Sequence, residues 1–367
     1  MNVPFVDLKA QQAEILDEIG LALGRTLAEA SFIGGPDVEA FEQEYARHIG
    51  TQYCVGVGNG TDALELALRA VEVEPGGEVI LPVNTFIATA EAVSRLGAVP
   101  VFVDVDPVHL LIDPHAAAAA ITGRTQAIIP VHLFGQVAPM AALRALTAGT
   151  GIPLVEDSAQ AQGASSAEGN AGTLGTVAST SFYPGKNLGA AGDAGAVTTD
   201  DADIARTVRV LSAHGSERKY VHERIGFNSR LDAIQAVVLR AKLKRLTGWN
   251  ALRSAAADRY ADLLGSIGGV RLPVTAAGNT DIWHLYVVRV AERDRVLARL
   301  AAAGIGAGIH YPTPLHLTEA YASLRIPAGT FPVAEEAAGQ ILSLPMFPHL
   351  RSEQQELVAA ALAEAVR

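Results

Sequence analysis

Hydrophobic positions in this chain fall in short, nearly continuous runs separated by mixed segments. The runs lie at 53–57, 78–81, 99–103, 127–131, 153–156, 178–182 and 195–198. They lack the alternation of a half-exposed strand and read as strands buried on both faces, the habit of a parallel sheet. Segments with helical spacing lie between many of them, at 61–71, 85–96 and 138–147. In the first, Leu64, Leu66, Ala67 and Leu68 supply the apolar content and Asp62 sits in the opening turn. Alternating strand and helix predicts an α/β fold around a mainly parallel sheet. Residues 200–213 read as another helix, and 214–230, rich in charge and glycine, as a long loop. Residues 231–264 form a long alanine-rich helical region with Trp249 and Asn250 near its middle. A strand at 283–290, a helix at 293–303, a strand end at 306–311 and a final helix at 352–366 follow. The expected organisation is a large unit over 1–248, with an N-terminal helical segment, and a smaller C-terminal α+β unit over 249–367. No low-complexity linker or internal repeat separates them.

The length of 367 residues agrees with two units and suffices to bury a core without disulfides. An apolar fraction of 49% and a charged fraction of 18% exclude a disordered chain. The 28 basic and 39 acidic side chains leave a net charge of −11, which argues against nucleic-acid binding and against a polybasic membrane anchor. An anionic small molecule is not excluded, because a basic pocket can sit in an acidic protein. No apolar stretch reaches the roughly 20 residues of a spanning helix, and residues 1–10 lack a signal-peptide pattern. A soluble cytoplasmic protein is expected. The single cysteine, Cys54 beside Val55, reads as a small buried residue, and no cluster suggests a metal site.

Three motifs carry chemistry. Gly56-Val57-Gly58-Asn59-Gly60-Thr61 joins a strand to a helix. The third glycine of a Rossmann fingerprint is missing, and no Gly-Lys-Ser/Thr of a Walker loop follows. What remains is a glycine-rich turn bringing backbone N–H groups and a hydroxyl to a helix N-terminus, a phosphate cradle or a plain turn. Glu156-Asp157-Ser158 ends an apolar strand, where ligands bind in parallel sheets. Asp157 there is a candidate metal ligand, base or partner of a ring nitrogen, or else a helix cap. In the segment 181–189, Lys186 lies between an apolar strand and glycine turns. It is a Schiff-base candidate or a surface-turn charge. A phosphate cradle, a strand-end aspartate and a later lysine together are the parts that pyridoxal phosphate requires.

At these residues the chain resembles the DegT/DnrJ/StrS family of pyridoxal-phosphate-dependent nucleotide-sugar aminotransferases, which have the aspartate aminotransferase fold (type I). Matching segments include Gly58-Asn59-Gly60-Thr61-Asp62-Ala63-Leu64, Val131-His132-Leu133-Phe134-Gly135, Asn228-Ser229-Arg230-Leu231-Asp232, Trp283-His284-Leu285-Tyr286 and Gly308-Ile309-His310-Tyr311-Pro312. They run in family order over nearly the whole chain. The resemblance implies that Lys186 binds the cofactor aldehyde and shuttles protons, while Asp157 pairs with the pyridine nitrogen. By the same resemblance Gln160 hydrogen-bonds the phenolic oxygen and Phe86 stacks on the ring. Gly60, Thr61 and Ser181 bind the phosphate, joined by Asn228 of a second subunit, so a homodimer with shared sites is implied. Related dehydratases carry histidine where this chain has Lys186, which favours transamination.

The resemblance also implies an amino donor, glutamate, and a keto sugar linked to a nucleoside diphosphate. Tyr183, Lys219, His222, Arg230, His310 and Tyr311 are the expected substrate contacts. The segment Lys219-Tyr220-Val221-His222 is similar to that of members that aminate C3 of dTDP-linked 3-keto-6-deoxyhexoses. Amination at C4 of a dTDP- or UDP-linked 4-keto sugar is an alternative. So is a cofactor-binding regulator or inactive paralogue of the same fold, which the retained Lys186, Asp157 and Ser181 disfavour. A pyridoxal enzyme acting on an amino acid or a cyclitol ketone is a third. Two departures from the family pattern are Gln162, where histidine is common, and Thr180, where an aromatic is common.

Overall fold

The structure, a computed structural model, describes residues 2–367. Among the described residues, seven strands form the two main sheets of the large unit: β1 Tyr53–Val57, β2 Glu78–Pro82, β3 Val99–Val103, β4 Thr125–Ile128, β5 Val155–Asp157, β6 Val177–Ser181 and β7 Gly195–Thr199. A four-stranded sheet in the order β1-β7-β6-β5 meets a three-stranded sheet in the order β3-β2-β4. Parallel bridges from Ile128 to Leu154 and from Val131 to Asp157 join the two. Neighbours are parallel except at β7, which runs antiparallel to both β1 and β6. The run at 195–198 is thus a buried strand but not a parallel one. A parallel return needs a crossover, usually a helix. The chain between β6 and β7 holds only the glycine-rich turns around Lys186, so it doubles back.

The helices expected from periodicity lie at Gly60–Ala70, Ile87–Arg95, Met140–Thr147 and Ala202–Ser212. Asn59 caps the first, its side-chain oxygen accepting from the Asp62 N–H at 2.8 Å. Leu64, Leu66, Ala67 and Leu68 of that helix are buried against Val55, Val57 and Val197 of the sheet. Cys54 is buried in β1, and burial pushes its thiol up. The strand read at 127–131 is displaced to Thr125–Ile128.

The long helix Ala233–Leu264 runs unbroken through position 248/249. Leu239, Leu243 and Leu246 pack in the large unit, while Ala256, Tyr260 and Leu264 pack with Val288, Leu342 and Leu362 in a second core. Val3 enters that second core beside Ile305, so the N-terminus closes on the smaller unit. The smaller unit carries an antiparallel sheet of Val270–Arg271, Tyr286–Val290 and Ile341–Leu344, with helices Arg293–Ala302 and Ser352–Ala365. Residues 306–311 are not a strand, because only Gly308 bridges to Ser343. The stretch 214–230 is not a plain loop: Ser216–Arg218 and Val221–His222 pair as a hairpin. Among the described residues no helix is long and apolar enough to cross a membrane.

Candidate active site

A cavity of about 880 Å³ opens between the two units, beside the C-terminal end of β5. Strand alternation sends Asp157 into it and Glu156 to the other face. The buried Asp157 carboxylate accepts from Thr89 Oγ1 at 2.8 Å and from the Ala159 N–H at 3.1 Å. Glu156 has a structural role: it accepts the N–H groups of Gly172, Leu174 and Gly175 and faces His132 Nε2 at 2.7 Å. His132 Nδ1 accepts from the Ala138 N–H, so the ring proton lies on Nε2. The His132 N–H in turn donates to the Asp157 carbonyl, which ties this buried pair to the site.

Lys186 reaches the same cavity from the turn after β6, where its N–H donates to the Tyr183 carbonyl at 2.8 Å. Burial pulls its amine down to about 8, against the opposing attraction of Asp157. Neutral amine, the nucleophilic form, is therefore available near neutral pH. Capture of pyridoxal phosphate by the cofactor-free protein, trapped with borohydride and mapped to Lys186, is expected to rise with pH around a midpoint near 8. A midpoint near that of a free lysine, about 10.4, would contradict the assignment.

Gly60 and Thr61 open their helix toward the cavity, opposite Ser181 at the end of β6. A Cβ on Gly60 would lie 2.6 Å from the Ser181 Cβ, so only glycine permits this approach. The half-exposed Phe86 ring stands 5.3 Å from that of Tyr311, centroid to centroid. Gln160 Oε1 accepts from the Phe134 N–H at 2.7 Å, which leaves Nε2 to donate to the Tyr311 hydroxyl at 3.1 Å. Burial and Asp157 push the Tyr311 hydroxyl up. His310 stacks on Phe5 at 5.5 Å and meets Ser343 Oγ at 2.9 Å through Nδ1. Burial and the neighbouring Lys186 bring its imidazole down to about 4, so it is neutral at physiological pH. Tyr183 also lines the cavity.

These residues fit pyridoxal phosphate. The Gly60-Thr61 helix N-terminus, the Thr61 and Ser181 hydroxyls, the Phe86 ring, the Asp157 carboxylate and the Lys186 amine all line one cavity. The structure does not bring every expected residue here. Lys219, His222, Asn228 and Arg230 are exposed and lie off this chain's cavity. His222 Nδ1 instead meets the His214 carbonyl at 2.9 Å, and Asn228 bridges to Ala213. Conversely, Thr89, Phe5 and His284 line the cavity without a role read from the sequence. Only His284 left a signal, a polar ring between Trp283 and Leu285 at the start of an apolar run. The two family departures prove to be partners: Gln162 Nε2 donates to Thr180 Oγ1 at 3.0 Å and to the Ser181 carbonyl at 2.8 Å. Gln162 is buried and supports the phosphate-side strand without lining the cavity.

A fold type I sheet with a lysine and a strand-end aspartate in one cavity defines a pyridoxal-phosphate-dependent enzyme. The chain belongs to the DegT/DnrJ/EryC1/StrS aminotransferase family, whose sequence model matches residues 14–363. It is 49% identical over 362 residues to the erythromycin biosynthesis sensory transduction protein EryC1 of Saccharopolyspora erythraea, covering 99% of each chain. It is 47% identical over 363 residues to dTDP-3-amino-3,4,6-trideoxy-alpha-D-glucose transaminase of Streptomyces venezuelae, covering 99% of this chain and 96% of the relative. The crystal structure of S. venezuelae DesV in complex with a ketimine intermediate superposes with a TM-score of 0.97 at 47% identity, over 100% of this chain and 99% of that one. The protein is an aminotransferase, and its cofactor is pyridoxal phosphate with its pyridoxamine form.

Proposed function

We propose that this enzyme aminates carbon 3 of a dTDP-linked 3-keto-6-deoxyhexose with glutamate as donor, working in the cytoplasm as a homodimer with shared sites. The observation that carries the reading is the cavity, which holds Lys186 and Asp157 together and extends well beyond them to Tyr183, His310 and Tyr311. The activity for which the S. venezuelae relative is named supports a dTDP-sugar and carbon 3. A purely regulatory role, suggested by the name of the S. erythraea relative, leaves the lowered Lys186 amine beside a buried, hydrogen-bonded Asp157 unexplained.

Pyridoxal phosphate, when bound, supplies the electron sink. Lys186 then moves a proton to and from the reacting carbon, for which an amine near neutrality is suited. Asp157, oriented by its hydrogen bonds from Thr89 and Ala159, would pair with the pyridine nitrogen. Gly60, Thr61 and Ser181 would hold the phosphate, Phe86 would stack on the ring, and the Gln160 amide would hydrogen-bond the phenolic oxygen. Apolar exposure supports the dimer: at the hairpin and just beyond it Tyr220 is 81% and Ile225 98% exposed. In that arrangement Asn228, Lys219, His222 and Arg230 serve the partner's site, and the last three meet the diphosphate and sugar. The division into 1–248 and 249–367 then separates the cofactor unit from the unit that supplies His310 and Tyr311.

The test supplies glutamate to the purified holoenzyme and follows conversion of the cofactor absorbance. It then offers dTDP-linked 3-keto and 4-keto hexoses separately and identifies products by mass and NMR. Turnover of the 3-keto sugar is expected. Failure to convert with glutamate would return the regulatory reading. Turnover of the 4-keto sugar alone would move the reaction to carbon 4.

A further inference from the structure

A buried chain of side-chain amides runs behind Lys186. Asn250, on the long helix, donates through Nδ2 to the Gln162 carbonyl at 2.9 Å. Its Oδ1 therefore accepts, and does so from Asn187 Nδ2 at 2.8 Å. Asn187 Nδ2 also donates to the Ile282 carbonyl at 3.0 Å, so both of its N–H bonds are committed. The Asn187 Oδ1 can then only accept, and its partner is His284 Nδ1 at 3.1 Å. Two backbone carbonyls thus fix the orientation of both amides, and through them the His284 tautomer: the proton lies on Nδ1. Burial and the nearby Lys186, Arg253 and His310 hold this imidazole far below its ordinary value, which keeps it neutral. Its Nε2 is then a bare lone pair. Among the described residues it has no protein partner, is not sealed from solvent, and belongs to a ring that lines the cavity.

We propose that His284 is a specificity-determining acceptor whose fixed Nε2 receives a hydrogen bond from a ring hydroxyl of the keto sugar. The inference rests on the nucleotide-sugar reading above. The choice of ligand group follows from the lone pair. Carboxylate, ketone and phosphate oxygens only accept, so neither the amino donor's carboxylates nor the diphosphate satisfies it. A sugar hydroxyl can donate, and a site built to bond a hydroxyl discriminates against analogues that lack it. The tautomer of His310 is not fixed in the same way, because among the described residues its one polar partner is the Ser343 hydroxyl, which can donate or accept.

His284→Asn tests this, because the shorter amide can still donate to Asn187 while the Nε2 acceptor is gone. With a dTDP-linked 3-keto-6-deoxyhexose as probe, kcat/KM is expected to fall about tenfold or more, mainly through KM. The glutamate half-reaction is expected to fall far less. Wild-type enzyme should prefer this probe to its analogue lacking one ring hydroxyl by a similar factor, and the variant should lose that preference. His284→Gln, whose longer amide carries an oxygen toward the Nε2 position, should recover part of it. Histidine ¹⁵N NMR of the holoenzyme should show His284 protonated at Nδ1 alone. An Nε2–H tautomer, an unchanged preference, or equal loss in both half-reactions, which would mean that His284 only positions Lys186, overturns the proposal. Absence of wild-type turnover with any nucleotide-linked keto sugar overturns the substrate reading itself, and this inference with it.

Discussion

Lys186→Ala is expected to lower turnover by at least ~10⁴-fold, because the change removes the nucleophilic amine and the proton-transfer group at once. Burial depresses this amine, so its chemistry depends on the cavity as well as on the residue type. Lys186→Arg should be nearly as damaging, since an always-charged guanidinium neither attacks an aldehyde nor accepts a proton. The fold should survive: the turn at 183–189 is held by main-chain bonds from Lys186 N–H to the Tyr183 carbonyl and from Ala190 N–H to the Phe182 carbonyl. Steady-state turnover with glutamate and a nucleotide-linked keto sugar, with sedimentation to confirm an unchanged oligomer, checks both statements. Turnover within tenfold of wild type would remove Lys186 from the chemistry.

Asp157→Ala is expected to cost about 10²- to 5 × 10³-fold in turnover at saturating cofactor, and to weaken cofactor binding. Removing one partner of a buried charge pair costs about 3–5 kcal/mol, and each 1.36 kcal/mol is tenfold in rate. Asp157→Asn keeps the shape and the acceptor for Thr89, yet it cannot hold a protonated ring nitrogen by charge. It should therefore fall close to the alanine variant. Thr89→Val, which removes one neutral donor to the carboxylate, should cost about tenfold or less. An asparagine variant as active as wild type would show that the charge of Asp157 is unimportant.

The residues proposed to do the chemistry were legible as a pattern because their neighbourhoods are local. Asp157 ends an apolar strand, Lys186 follows one, and Gly60-Thr61 sits between a strand and a helix. Each position is set by the phase of a short element, and strand alternation alone sends Asp157 and Glu156 to opposite faces. The direction of β7 was not legible, because a buried apolar run reads alike in both directions. The hairpin inside 214–230 was hidden by its exposure, since it has no buried face to imprint a pattern. His284 passed without a role because its meaning lies in Asn187 and Asn250, 97 and 63 residues apart along the respective bonds.

By itself, then, the sequence determined the α/β class and the run of buried strands, and it marked the candidate cradle, aspartate and lysine. These depend on spacing within single elements and on side-chain type. Only the tertiary structure decided which of them share a cavity, how far burial shifts the Lys186 amine and which tautomer His284 holds. Those properties depend on solvent exclusion and on hydrogen bonds between segments distant in the chain, and neither leaves a periodic mark in the sequence.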